Sequence, residues 1–130
     1  MEIEMLIQRH LEGKTVYPAF LEEPAKPQRP PRYYIVARVG VSPENHIHRG
    51  RIAVQSYAPS LVEAMALNRA AYDAMQSLPE LSAFTAAGLV SDYNFTDEET
   101  GRYRWHAVYA FNYYDDVLST YILSDSKSKE

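Results

Sequence analysis

Residues 102–113 carry a period-two pattern that commits them to a strand. Tyr103, Trp105, Ala107, Tyr109, Phe111 and Tyr113 share one parity, and Arg102, Arg104, His106 and Asn112 share the other. Successive side chains of a β-strand point to opposite faces, so this is a strand with a core-facing aromatic row and a solvated or subunit-facing basic row. At ~3.3 Å per residue such a strand extends ~40 Å, whereas a domain of this length has a radius of gyration near ~14 Å. Residues 89–95 form the strand before it. The polar stretch Thr96-Asp97-Glu98-Glu99-Thr100-Gly101 reads as the tip of a long β-hairpin. The hairpin is expected to cross the whole domain or project beyond it, with unpaired edges that another chain can use. A bulge or bend that folds it back is the competing outcome.

The rest of the chain supplies a body for that arm. Residues 2–12 read as a short helix, because Ile3, Leu6, Ile7 and Leu11 recur at helical spacing and Gly13 follows. Residues 22–31 carry Pro24, Pro27, Pro30 and Pro31 and are expected to be a stiff connector with polyproline II character. Residues 33–39 and 51–57 alternate as strands, and residues 40–50 between them read as a polar loop. Ser60 and Glu63 have the spacing of a capping box. They open the best helix of the chain, which runs to about Leu78, where Pro79 ends it. Its apolar stripe, Ala64, Leu67, Ala71, Met75 and Leu78, is core packing against a sheet. The expectation is one α+β domain over residues 1–123. It has a mainly antiparallel sheet of about four strands, one long helix packed on one face and a long C-terminal β-hairpin. Residues 124–130 are read as a disordered polar tail.

Composition removes several classes of function. The 130 residues carry 13 Lys plus Arg against 17 Asp plus Glu, a formal net charge of −4, and no Cys. Without Cys there is no disulfide framework, Cys-based zinc site, iron–sulfur ligation or thiol catalysis. No apolar run approaches the ~20 residues of a membrane-spanning helix. The acidic opening Glu2-Ile3-Glu4 does not resemble a secretory signal, so an intracellular product is expected. Eleven Tyr and an excess of Arg over Lys favour protein interfaces, although Tyr also suits half-buried strands.

Candidate chemistry is sparse. His46 and His48 share a face if extended and are the nearest thing to a metal pair, but spacing marks no third ligand, and solvated loop histidines are the plainer reading. Asp97, Glu98 and Glu99 lack the length of a calcium loop, and adjacent Asp115 and Asp116 point apart on a strand. The five glycines are isolated, so there is neither a P-loop nor a dinucleotide fingerprint, and no nucleophile elbow occurs. No catalytic residue, cofactor or metal is assigned, and an enzyme is not expected. Arg102-Tyr103-Arg104-Trp105-His106 mixes basic and aromatic residues as single-stranded nucleic-acid binders do, but alternation sends the two kinds to opposite faces. A small nucleic-acid-binding module is therefore the alternative function.

One resemblance gives a lead. The strand-to-helix run Arg51-Ile52-Ala53-Val54-Gln55-Ser56-Tyr57-Ala58-Pro59-Ser60-Leu61-Val62-Glu63-Ala64 is followed by Asp97-Glu98-Glu99-Thr100-Gly101-Arg102-Tyr103-Arg104 at a hairpin. Over residues 33–114 this pattern resembles the small tail terminator, or tail-to-head joining, proteins of long-tailed phages and prophages. The proline-rich stretch is longer than that pattern has. The resemblance implies a non-catalytic virion protein, assembled in the host cytoplasm, forming a hexameric ring. Such a ring caps the tail tube protein and presents a surface to the head–tail connector protein. Contacts are expected at the hairpin, the exposed side of the helix and the two loops. The residues singled out are Arg29, Arg32, His46, His48, Arg49, Arg102 and Arg104.

Overall fold

The computed structural model describes residues 2–44, 47–81, 84–85, 87–96 and 101–114. Helix α1 (Ile3–Lys14) is followed by a two-residue strand β1 (Ala19–Phe20), a 3-10 turn at Lys26–Gln28, and strands β2 (Tyr33–Glu44) and β3 (Ile47–Ala58). Helix α2 (Leu61–Gln76), a 3-10 turn at Leu78–Leu81, and strands β4 (Gly88–Asn94) and β5 (Tyr103–Tyr114) complete it. The five strands form one sheet in the order β1-β2-β3-β5-β4. The β1–β2 pair is parallel; the pairs β2–β3, β3–β5 and β4–β5 are antiparallel.

Alternation gives the sheet two unlike faces. Tyr34 and Val36 of β2, Ile52 and Val54 of β3, and Ala107, Tyr109, Phe111 and Tyr113 of β5 form the main core with both helices. Helix α2 contributes Ala64, Leu67, Ala71, Ala74 and Met75, and α1 contributes Ile3, Ile7 and Leu11. Each large apolar side chain removed from water there contributes about 1.5–3 kcal/mol. The alanines let α2 lie close to the strands. The backbone of Gly50 does the same for the rings of β5, since a Cβ there would stand 3.1 Å from the Phe111 ring. The opposite face carries only a small cluster of Tyr33, Ile35, Tyr57 and the partly buried Phe20.

The start of α2 is capped as its spacing predicts. The Glu63 N–H donates to Ser60 Oγ at 3.3 Å, while the Ser60 hydroxyl donates to the Glu63 carboxylate at 3.0 Å. Arg32 also donates to that carboxylate, Nε at 2.9 Å, which fixes the end of the proline-rich segment to the first turn of α2. At its other end α2 is tied to α1. The buried His10 donates Nε2–H to Ala74 O at 2.8 Å, with Ser77 Oγ 3.0 Å away.

The α+β class stands, and several finer expectations are corrected. The sheet is mixed and has five strands, because the segment before the prolines adds β1 beside Tyr34 and Ile35. Two helices, not one, share the covered face. The polar loop expected over residues 40–50 is mostly strand: β2 runs to Glu44 and β3 begins at Ile47. Gly40 does not end β2. The register shifts between Arg38 and Gly40, so a bulge absorbs the irregularity. Pro43 is tolerated because this part of β2 lies at the sheet edge. Within the proline-rich segment, Lys26–Gln28 form a 3-10 turn in place of a continuous polyproline II run. Most important, β5 is not half of a projecting arm. It lies between β3 and β4 and pairs with β3 along its whole length, Ile47↔Tyr114 to Ala58↔Tyr103. The length that suggested projection is matched by β3 beside it and β2 beyond, 12 residues each. His46, the tip residues 97–100, Asp115, Asp116 and the tail 124–130 lie outside the described residues.

Candidate functional site

The face of the sheet that the helices leave open carries an aromatic and arginine ladder. Tyr33 and Tyr57 face each other across β2 and β3 and stack, with ring centroids 4.8 Å apart and planes 5° from parallel. Phe20 of β1 meets Tyr33 edge-on at 5.9 Å. The Arg102 guanidinium lies over the Tyr57 ring at 4.7 Å. Arg104, opposite Tyr57 in the β3–β5 register, lies 5.6 Å from the same ring and 4.3 Å from Phe95. Phe95, His106 and Tyr93 continue the row onto β4, with centroids 5.8 Å and 5.1 Å apart. Such cation–π contacts contribute about 0.5–1 kcal/mol each at partly exposed sites. Among the described residues no helix covers this face; at the Tyr33 end it is Phe20 and the proline-rich segment that pack over it.

At one end of the ladder the charges converge on a single oxygen. Glu23 Oε1 accepts from Tyr33 Oη at 2.9 Å and from the Arg102 guanidinium, and Arg29 Nη2 stands 3.7 Å from it. The Arg102 bond holds the Glu23 carboxyl below its ordinary range, against the opposing effect of burial. Burial, reinforced by the neighbouring Glu23, pushes the Tyr33 hydroxyl up to about 12. Beside this group is a cavity of about 300 Å³ lined by Lys26, Arg29, Arg102, Tyr33, Tyr57 and Tyr103 among others. At the other end, burial first and then the charge of Arg104 lower the pKa of His106.

The outer strand β4 is a second distinctive surface. Its Asp92 carboxylate accepts from Asn68 of α2 at 3.0 Å and from the Trp105 indole, which holds β4 to the body. No described strand pairs with its other edge. Leu89, Val90, Tyr93 and the following Phe95 are 41%, 48%, 43% and 46% exposed.

The structure gathers some of the residues chosen from sequence and separates others. Arg29, Arg102 and Arg104 meet on the open face. Arg32 is drawn away to Glu63. His48 stacks on Tyr113 at 5.0 Å, at the far end of the sheet. Arg49 is exposed on β3 opposite Asn112. Glu23, Tyr33, Tyr57, Phe95 and Tyr93 were not singled out. Alternation along β5 does separate Arg104 from Trp105, but the rings that Arg104 meets come from neighbouring strands, and only the register reveals them. Among the described residues, no group of three or more His, Cys, Asp or Glu could hold a metal ion. No helix of the described residues is long and apolar enough to cross a membrane. No protein-family model matches the chain, and no curated protein matches it.

Proposed function

We propose that the chain is a structural virion protein of a long-tailed phage or prophage: a tail terminator that closes into a homo-oligomeric ring, caps the tail tube and docks to the head connector. The pattern over residues 33–114 motivates the family. The observation that carries the ring is the pair of unlike sheet edges. On one side β4 has no strand on its outer side among the described residues. On the other, β1 pairs with β2 only at Tyr34 and Ile35, so residues 37–44 have no strand on their outer side among those described. Strand direction alternates from β2 through β3 and β5 to β4. A second copy added in the same orientation therefore sets its β2 antiparallel to β4, the more stable pairing. One such heterologous contact, repeated, closes a ring. Leu89 and Val90 on β4, and Val39 on β2 at 55% exposure, supply apolar surface at both edges. Six copies, as in the family it resembles, and assembly in the host cytoplasm follow from this reading. It needs no catalytic residue and no cofactor.

The projecting arm is no longer part of the case, since β5 is interior. The nucleic-acid alternative is disfavoured by the same open face. Tyr33 and Tyr57 are 2% and 7% exposed and offer little ring surface for a base to stack on. Arg104 is held by the Tyr57 hydroxyl and the Phe95 carbonyl. Electron microscopy of the concentrated protein is the direct test. Rings of uniform diameter are expected; isolated particles only, at every concentration, would defeat the proposal.

A further inference from the structure

We infer that the cavity beside Glu23 is a docking site for an acidic peptide segment of a partner protein, recognised through its carboxylates. Three cations, Lys26, Arg29 and Arg102, line this cavity, and the one carboxylate bonded to two of them is Glu23. Counted over these described groups, the cations exceed the carboxylates by two, in a chain whose net charge is −4. That complementarity selects an anionic partner.

The cradle is also shaped for a carboxylate. Tyr33 Oη, Arg102 and Arg29 already converge on one carboxylate oxygen, so Glu23 occupies the kind of position that a partner's Asp or Glu would share or take over. The walls are preorganised. Stacked Tyr33 and Tyr57 make the floor, Pro30, Pro31 and Pro59 stiffen the sides, and Arg29 is anchored by its Nε bond to Pro24 O at 3.4 Å. Little side-chain freedom is lost when such a site binds. Lys26 is exposed at the rim and has no ion pair among the described residues, so it can meet a second carboxylate. This also gives the proline-rich segment a role, since it brings Lys26 and Arg29 to the end of the sheet where Arg102 stands. A peptide is favoured over a nucleic acid because the aromatic floor is buried under Arg102 and cannot be entered by a base. The inference does not depend on the ring, which uses the β4 and β2 edges.

The test is fluorescence anisotropy with the full chain and a labelled hexaglutamate peptide, a hexaglutamine control and a single-stranded oligothymidine. Hexaglutamate is expected to bind, and to weaken as salt is raised; hexaglutamine is expected not to. Arg102→Gln combined with Lys26→Gln should weaken hexaglutamate about tenfold or more. Glu23→Gln should tighten it several-fold, because the cations lose their internal competitor. That opposite sign separates a site from a general charge effect, and a melting curve on each variant checks folding. Equal binding of the two peptides, weaker binding by Glu23→Gln in a folded protein, or tighter binding of oligothymidine than of hexaglutamate would each overturn the inference.

Discussion

Two tyrosines in the core test how polar groups are accommodated there. Tyr34 Oη donates to the Leu67 carbonyl at 2.6 Å. Tyr109 Oη is buried with no hydrogen-bond partner among the described residues. Deleting a satisfied hydroxyl loses a bond worth about 0.5–1.5 kcal/mol, whereas deleting an orphaned one removes a burial cost. Tyr34→Phe is therefore expected to lower unfolding stability by about 1 kcal/mol, and Tyr109→Phe to leave it unchanged or raise it, both read from urea denaturation. Equal losses would show that the two hydroxyls are alike. His10 sets a pH dependence. Burial lowers its pKa from the ordinary 6.5, outweighing the opposing bond to Ala74; Lys14 adds a smaller lowering and Glu80 a smaller rise. The folded state thus prefers neutral His10, and below pH 6.5 the unfolded chain takes up the proton first. The stability this group provides is complete above 6.5 and falls as pH drops toward its folded pKa. His106 is shifted the same way. His10→Gln should flatten the slope of unfolding free energy just below pH 6.5; an unaltered slope would remove His10 from the account.

At the level of elements, α2 is the best-specified part of the fold. Ala71 is 0% exposed between the helix and the sheet, so Ala71→Leu should overpack this contact and cost about 1–3 kcal/mol. An unchanged melting temperature would contradict the packing. This helix was legible in the sequence because its cap, stripe and Pro79 stop are all local signals, and its end is off by only two residues, Ser77 and Leu78, the second of which opens the 3-10 turn at Leu78–Leu81. The alternating face of β5 was legible for the same reason. What sequence could not supply was register. The bulge between Arg38 and Gly40 allows β2 and β3 to continue through a stretch whose glycine, proline and polar residues read as loop. The partners of β5 on both sides depend on a pairing between residues far apart in the chain, such as Ala58 with Tyr103. The candidate site shared that fate. Arg102 and Arg104 stood out as charges in an aromatic context and Arg29 as a cation at the end of the proline-rich stretch, but Glu23 and Tyr57, which organise them, carry no local mark.

For the whole molecule, the helices cover one face of the sheet, and the other presents an aromatic and arginine ladder whose two edges have no further strand among the described residues. An exposed edge with apolar side chains invites pairing with another chain, and natural monomers blunt such edges with lysine, proline or a β-bulge. Residues 88–94 of β4 contain neither lysine nor proline, but a register shift falls between Leu89 and Ser91, and the β2 edge carries Pro43 and its own shift between Arg38 and Gly40. The edge is anchored through Asp92 to Asn68 and Trp105, so a nearby substitution such as Val90→Lys is expected to leave the fold intact. Val90 lies at the register shift between Leu89 and Ser91, outside the ladder with β5. The decisive measurement on the ring is native mass spectrometry of the wild-type chain and Val90→Lys over a range of concentrations. The wild type should populate one closed multiple of its 14.9 kDa mass, with six the expected number, and Val90→Lys should run as a monomer with an unchanged melting temperature. A wild-type chain that stays monomeric throughout, or a variant that assembles as the wild type does, would contradict a ring built through β4.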